Sequence, residues 1–291
     1  MVMTSVSQSA VHHLIDPVDP HEFAIAVRKL RSFFDKRGFV EGHFQHRLEP
    51  LGILAACENP FNIATFNYAG QVWPLPQTSQ MWMEYELLTN PDVPGYFCIS
   101  TSFRQEPDPV EGRHNLIFPM FEFETHGDME TLAELEKDLL EHLGFGSTSN
   151  FPEILYDDAM RRYDANEIGD AEEKALYATF GDALLLTRFP NHTWPFWNMK
   201  RDGKHAKKID VILFGVETIG SSERSSDPEE MRHYFYTISD GAYAKTLFGK
   251  FTRERVEREL DFFLSLPFIT RCGGGMGMTR MIRALKLAGQ I

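Results

Sequence analysis

The chain is 291 residues long with 43% hydrophobic side chains, enough for a substantial core in one large domain or two ordinary ones. Its formal net charge of −13 argues against broad, sequence-independent nucleic-acid binding, which depends on Lys and Arg neutralising phosphates, while leaving room for a local basic patch. The sequence holds no apolar run long enough to span a bilayer and no signal-peptide start, and Cys57, Cys98 and Cys272 lie far apart without metal spacing, so a reducing, cytoplasmic setting is expected.

Residues 1–20 read as a lead-in whose Pro17 and Pro20 prepare a helix capped by Asp19 or His21. Phe23, Val27, Leu30, Phe33 and Phe34 recur at helical spacing over 21–37, Arg37-Gly38 closes that helix, and Phe39-Val40 opens a strand. Residues 60–100 read as short strands around a helix near 79–90. Met129, Leu132, Leu135, Leu139 and Leu143 predict an amphipathic helix over 129–143, stopped by Gly144. Further helices are expected near 153–164 and 170–180, strands at 183–188 and 208–214, and helical pieces through 227–264. With no repeat, low-complexity tract or linker, the simplest architecture is a single α+β domain over 21–291: an antiparallel sheet flanked by helices.

The most informative stretch is 102–124, Ser-Phe-Arg-Gln-Glu-Pro-Asp-Pro-Val-Glu-Gly-Arg-His-Asn-Leu-Ile-Phe-Pro-Met-Phe-Glu-Phe-Glu. It sets Arg104, Glu106, Arg113 and His114 around a short polar loop between two alternating segments. Period-two alternation puts Phe118, Met120, Glu122 and Glu124 on one strand face. Folding alone gives little reason to gather such charges on a sheet, because burying them is costly unless a ligand or partner satisfies them. Two arginines beside an aromatic ring suit a nucleotide, offering fork donors for phosphate and a flat face for a base.

This stretch resembles motif 2 of the class II aminoacyl-tRNA synthetases, in the aspartyl/asparaginyl/lysyl branch. Glu217-Thr-Ile-Gly-Ser-Ser-Glu-Arg224 is similar to the branch's Glu-x-x-Gly-Gly-Ser-x-Arg segment, and Gly273-Gly-Gly-Met-Gly-Met-Thr-Arg-Met-Ile-Arg283 resembles motif 3. The three segments stand in the family's order, and the resemblance spans about 25–291. The first helix and strand resemble motif 1, which implies a homodimer, although Gly42-His43-Phe44-Gln45 replaces the usual closing proline. The catalytic core begins so early that no anticodon-binding barrel is expected within the chain, and tRNA binding is not expected.

Activating a carboxylate with ATP builds negative charge on a pentavalent α-phosphate, so such a site needs fixed cations and Mg²⁺. The resemblance implies that Arg104 holds the α-phosphate and substrate carboxylate, that Glu106 meets the adenine amino group, and that Arg113 and His114 reach the outer phosphates. It implies Phe118 stacked on adenine, Arg280 on the base's other side, and Gly277 among the glycines that let backbone approach the nucleotide. Asp210 and Glu217 match two acidic Mg²⁺ ligands. Gln80, Glu122, Ser221 and Arg224 match the amino-acid contacts, Glu122 near the substrate ammonium and Arg224 at its side-chain end. The aspartyl enzymes carry a lysine three residues after Gln80, where this chain has Met83.

The implied function is an ATP-dependent, AMP-forming ligase that resembles the archaeal-type asparagine synthetases. It adenylates aspartate or a related acid and transfers the acyl group to ammonia or another amine. Two other expectations stand beside it: loading of a carrier protein or tRNA, and a non-catalytic regulatory paralogue.

Overall fold

The computed structural model describes residues 18–107, 109 and 115–291. Asp19 starts helix α1 (Pro20–Asp35): its carboxylate accepts from the backbone N–H groups of His21 and Glu22 at 2.8 and 3.0 Å. Pro20 takes the first helical position, where no N–H is required. Ala26, Val27, Leu30, Phe33 and Phe34 form its buried stripe. Strand β1 (Val40–Glu41) follows. The strands β2 (Thr65–Tyr68) and β3 (Gln71–Pro74) make a separate hairpin before α2 (Gln80–Thr89).

Strands β4 (Gly95–Phe103) and β5 (Ile117–His126) then pair antiparallel and lead to α3 (Met129–Leu143). Helix α3 has the predicted bounds. Asp128 accepts from the Thr131 N–H at its start, and Gly144, at φ +92°, takes the left-handed turn at its end. The segment expected as one helix near 153–164 splits into β6 (Glu153–Leu155) and α4 (Tyr156–Tyr163), because its first three residues pair with a neighbouring strand. The rest of the chain supplies α5 (Asp170–Phe180), β7 (Ala183–Pro190), β8 (Arg201–Asp202), β9 (His205–Leu213) and β10 (Val216–Glu223). It ends with α6 (Pro228–Thr237), α7 (Ala242–Phe251), α8 (Arg253–Leu264), β11 (Arg271–Gly277) and α9 (Met278–Leu287).

Among the described residues, a nine-stranded sheet runs β1-β4-β5-β11-β10-β9-β7-β6, with β8 added on β9. It is antiparallel except at its rims, where β1 joins β4 and β6 joins β7 in parallel. The parallel pairs occur where the chain makes a long crossover: residues 42–94 separate β1 from β4, and α4 and α5 separate β6 from β7. Strand β11 slots between β5 and β10, which brings the three motif segments side by side.

One sheet face is dry. Phe97, Phe121, Phe123, Val211 and Ile219 pack there against α1, α3 and α9. On the other face, α2 and α6–α8 form an aromatic-rich cluster, and α4 and α5 cover Leu184, Leu186 and Ile212. The strands between these two groups of helices floor a cleft.

Glu136 of α3 lies wholly within the dry side, and neither of its carboxylate oxygens has a hydrogen-bond partner. Burial pushes its carboxyl up to about 8, against the pull of neighbouring Ser221. A carboxyl whose folded-state pKa is raised favours folding at low pH, and that contribution is lost as pH climbs from 4.5 to about 8. Glu136→Gln should remove this slope. The stability gap between variant and parent is expected to widen by about 1.4 kcal/mol per pH unit across that window. Urea midpoints measured from pH 5 to pH 8 check it, and parallel curves would contradict it.

Candidate active site

Arg104 directly follows β4, Phe118 is the second residue of β5, Gly277 ends β11 and Arg280 sits in the first turn of α9, so four distant sequence positions meet at one end of the sheet. Together with Glu58, Gln80, Glu106, Glu217 and Thr218 they border a cleft of about 410 Å³. The Arg104 guanidinium stands 5.4 Å from the Phe118 ring centre and donates to Glu58 at 3.0 Å. Across the cleft, Arg280 donates to the Glu217 backbone carbonyl at 2.8 Å. Glu106 accepts from Asn62 Nδ2 at 2.6 Å, which fixes it on the rim. The sequence-predicted Arg113 and His114 lie outside the described residues.

Asp210 and Glu217 converge although they sit on successive strands. Plain alternation would turn Glu217 with Ile219 towards the dry face. A register shift between Glu217 and Ile219 breaks the alternation, as a β-bulge does. Both carboxylates end over Gly220, where a Cβ would lie 3.1 Å from Glu217 Oε1 and 3.6 Å from Asp210 Oδ1. Lys208 donates to Asp210 Oδ2 at 2.7 Å, while Oδ1 is buried without a partner. Burial, offset by Lys208 and reinforced by Glu217, pushes the Asp210 carboxyl up to about 7. Hard oxygen donors with one orphaned atom fit Mg²⁺. Gly220→Ala puts a methyl group against both carboxylates. It is expected to weaken binding of Mn²⁺, used as a spectroscopic probe, by about tenfold or more, with little change in thermal midpoint.

The deep end of the cleft carries a chain of buried charge. Arg224 donates to Gln80 Oε1 at 2.6 Å, to Ser222 Oγ at 2.8 Å and to the Glu124 carboxylate. Burial pushes the Glu124 carboxyl up, and Arg224 pulls it back. Glu84 lies 3.9 Å from Arg224 Nε and 2.7 Å from Arg271. Gly275 lets the strand pass beneath: a Cβ there would meet Gln80 Nε2 at 3.1 Å and Met120 Cε at 3.0 Å.

Two predicted amino-acid contacts sit differently. Ser221 shares the dry face with Ile219: its hydroxyl donates to the Ile209 carbonyl, and it packs against the Cα of Gly274 rather than lining the cleft. The cleft-side neighbour is Ser222, one residue on, since a single step along a strand reverses the face. Glu122 is wholly buried and spends both oxygens on the Ser79 N–H, the Thr78 hydroxyl and the Ser100 hydroxyl. It therefore anchors the turn that carries Gln80. Met83 is fully buried in the helical cluster and offers the cleft no contact. Glu58, Glu84, Thr218 and Arg271 escaped the sequence reading. Glu84 carried a signal, since it lies four residues after Gln80 on the same helical face.

This combination of mixed sheet, bulged acidic hairpin and paired arginines defines a class II synthetase-type catalytic core. The family model for tRNA synthetases class II (D, K and N) matches residues 23–291, and the chain belongs to that family. Aspartate–tRNA(Asp) ligase of Pyrobaculum aerophilum is 24% identical over 236 residues, covering 70% of this chain and 52% of that protein. Asparagine–tRNA ligase of Koribacter versatilis is 23% identical over 301 residues, covering 88% and 62%. The asparaginyl-tRNA synthetase of Pyrococcus horikoshii, solved with asparaginyl-adenylate, superposes with a TM-score of 0.71 at 20% identity, over 96% of this chain and 66% of that one. The chain thus spans little more than half the length of the first two relatives. Among the described residues, no helix is long and apolar enough to cross a membrane.

Proposed function

We propose that the chain activates an amino-acid carboxylate with ATP, forming an acyl-adenylate and pyrophosphate, and then passes the acyl group to an amine, with aspartate as the first candidate acid. The observation that carries this reading is the meeting of Arg104 and Arg280, from opposite ends of the catalytic region, across one cleft that also holds Phe118 and the Asp210–Glu217 pair. Arg104 holds the substrate carboxylate against the α-phosphate and stabilises the charge that develops there. Phe118 and Arg280 offer two flat faces for the base. Asp210 and Glu217 would hold Mg²⁺, which supplies charge neutralisation on the triphosphate. Gln80 orients the amino-acid end, and Glu122 keeps Gln80 in place.

A neutral side chain on the acid is favoured by one specific observation: Arg224 is already bonded to Glu124 and faces Glu84. A second substrate carboxylate would have to displace those partners. Pyrophosphate exchange with aspartate, asparagine and a panel of other amino acids tests both readings. Exchange with none of them would overturn the proposed activity. A homodimer joined at the β1 edge belongs to the same reading, since β1 is a rim strand and Val40 is exposed; sedimentation velocity checks it.

A further inference from the structure

A second cavity of about 440 Å³ opens beside the first. The two share Glu58, Arg104 and Glu217, so they touch where the α-phosphate and acyl carbon are placed by the proposed activity, on which this inference rests. Its outer walls are aromatic: Phe61 and Trp194 are each 48% exposed, and Phe189 and Phe196 stand behind them. Trp194 holds φ +53°, an uncommon left-handed conformation for a bulky side chain.

We propose that this chamber receives the acceptor, a primary amine carried on a flat apolar body. Ammonia occupies about one water's share of volume, roughly 30 Å³, and would leave the chamber and its aromatic walls unused. Charge points the same way. Glu58, Glu167, Glu173, Asp210 and Glu217 line it against Arg104 and Lys208, among the described residues. These carboxylates offer oxygen partners to an incoming ammonium, while Glu173 also accepts from the Glu217 N–H at 3.0 Å. Ring faces add a cation–π attraction that a bare polar pocket lacks.

In the transfer step, the bound ammonium first gives one proton to water, and the freed amine nitrogen then forms a bond to the acyl carbon. The acyl carbon–oxygen bond to the adenylate breaks, and AMP leaves with the electron pair. The nitrogen's surplus proton goes to water at the chamber mouth, past Glu58 at the boundary.

The test compares the full chain with Trp194→Ala and Phe61→Ala, both at half-exposed positions. Three readouts are needed: amino-acid-dependent pyrophosphate exchange, AMP release with ammonium or benzylamine as acceptor, and benzylamine binding by saturation-transfer NMR. The parent is expected to use benzylamine with a kcat/KM at least about tenfold above that for ammonium. Each variant should raise the benzylamine KM about tenfold while exchange and ammonium use stay unchanged. Equal use of ammonium and benzylamine overturns the proposal. So does a variant that weakens exchange as much as aminolysis, which would give the chamber to the nucleotide. Aminoacylation of tRNA lost in Trp194→Ala would make the occupant an RNA end. If exchange fails for every acid, the activity reading falls, and benzylamine binding that Trp194→Ala abolishes or spares still decides the chamber.

Discussion

Arg104→Ala is expected to lower amino-acid-dependent pyrophosphate exchange by about 10²–10³-fold, the loss seen when one fixed donor to a developing oxyanion is removed. The folded state should be indifferent to the change. Arg104 is 31% exposed and its partner Glu58 is 50% exposed, a pair whose contribution to stability is about 0–1 kcal/mol. Thermal midpoint and exchange rate measured on the same preparation separate the two effects. Arg104→Lys should recover little, because a single ammonium cannot bridge carboxylate and phosphate as a guanidinium fork does. Near-normal exchange in the alanine variant would remove Arg104 from the chemistry.

Arg271→Met should do the reverse. Arg271 is completely buried, its Nε donates to Glu84 at 2.9 Å, and its Nη1 donates to the Ser225 carbonyl at 3.0 Å. Removing it leaves the buried Glu84 carboxylate with Asn198 Nδ2 at 2.8 Å and, at 3.9 Å, an Arg224 already bonded to Glu124. Breaking such a pair from one side costs about 3–5 kcal/mol, a large share of the roughly 5–15 kcal/mol that holds a domain folded. Urea unfolding should show that loss. The double replacement Glu84→Gln with Arg271→Met should recover most of it, because no charge is then left unpaired. A single variant as stable as its parent would show that water reaches Glu84.

The fold was legible wherever local signals agreed. Helix α3 announced itself through leucine spacing and a terminal glycine, and it has the predicted bounds. Residues 153–155 misled because a three-residue strand leaves no period of its own and depends on β7 for pairing. In the site, Arg104, Phe118 and Arg280 were singled out by the motif resemblance, and the structure places them around one cleft. The resemblance paired Asp210 with Glu217, but alternation alone would have parted them; the bulge that joins them has no strong sequence mark. Ser221 was misplaced for a related reason: near a register shift, a motif match fixes the strand but leaves the face open. Arg271 and Glu84 stayed hidden because their pairing spans 187 residues.

The continuous ladder from Gln80 through Arg224, Glu124 and Glu84 to Arg271 ties ligand choice to cohesion of the interior. Altering what the deep end accepts by one substitution at Arg224 or Glu124 leaves an ion stranded in the protein, so single-site libraries there will be dominated by insoluble clones. Productive changes in selectivity call for simultaneous exchange of charge partners, or for mutations at Gln80, the rung that faces the opening. Laboratory evolution should therefore reach new acids through Gln80 first and reach the arginines only as coupled pairs.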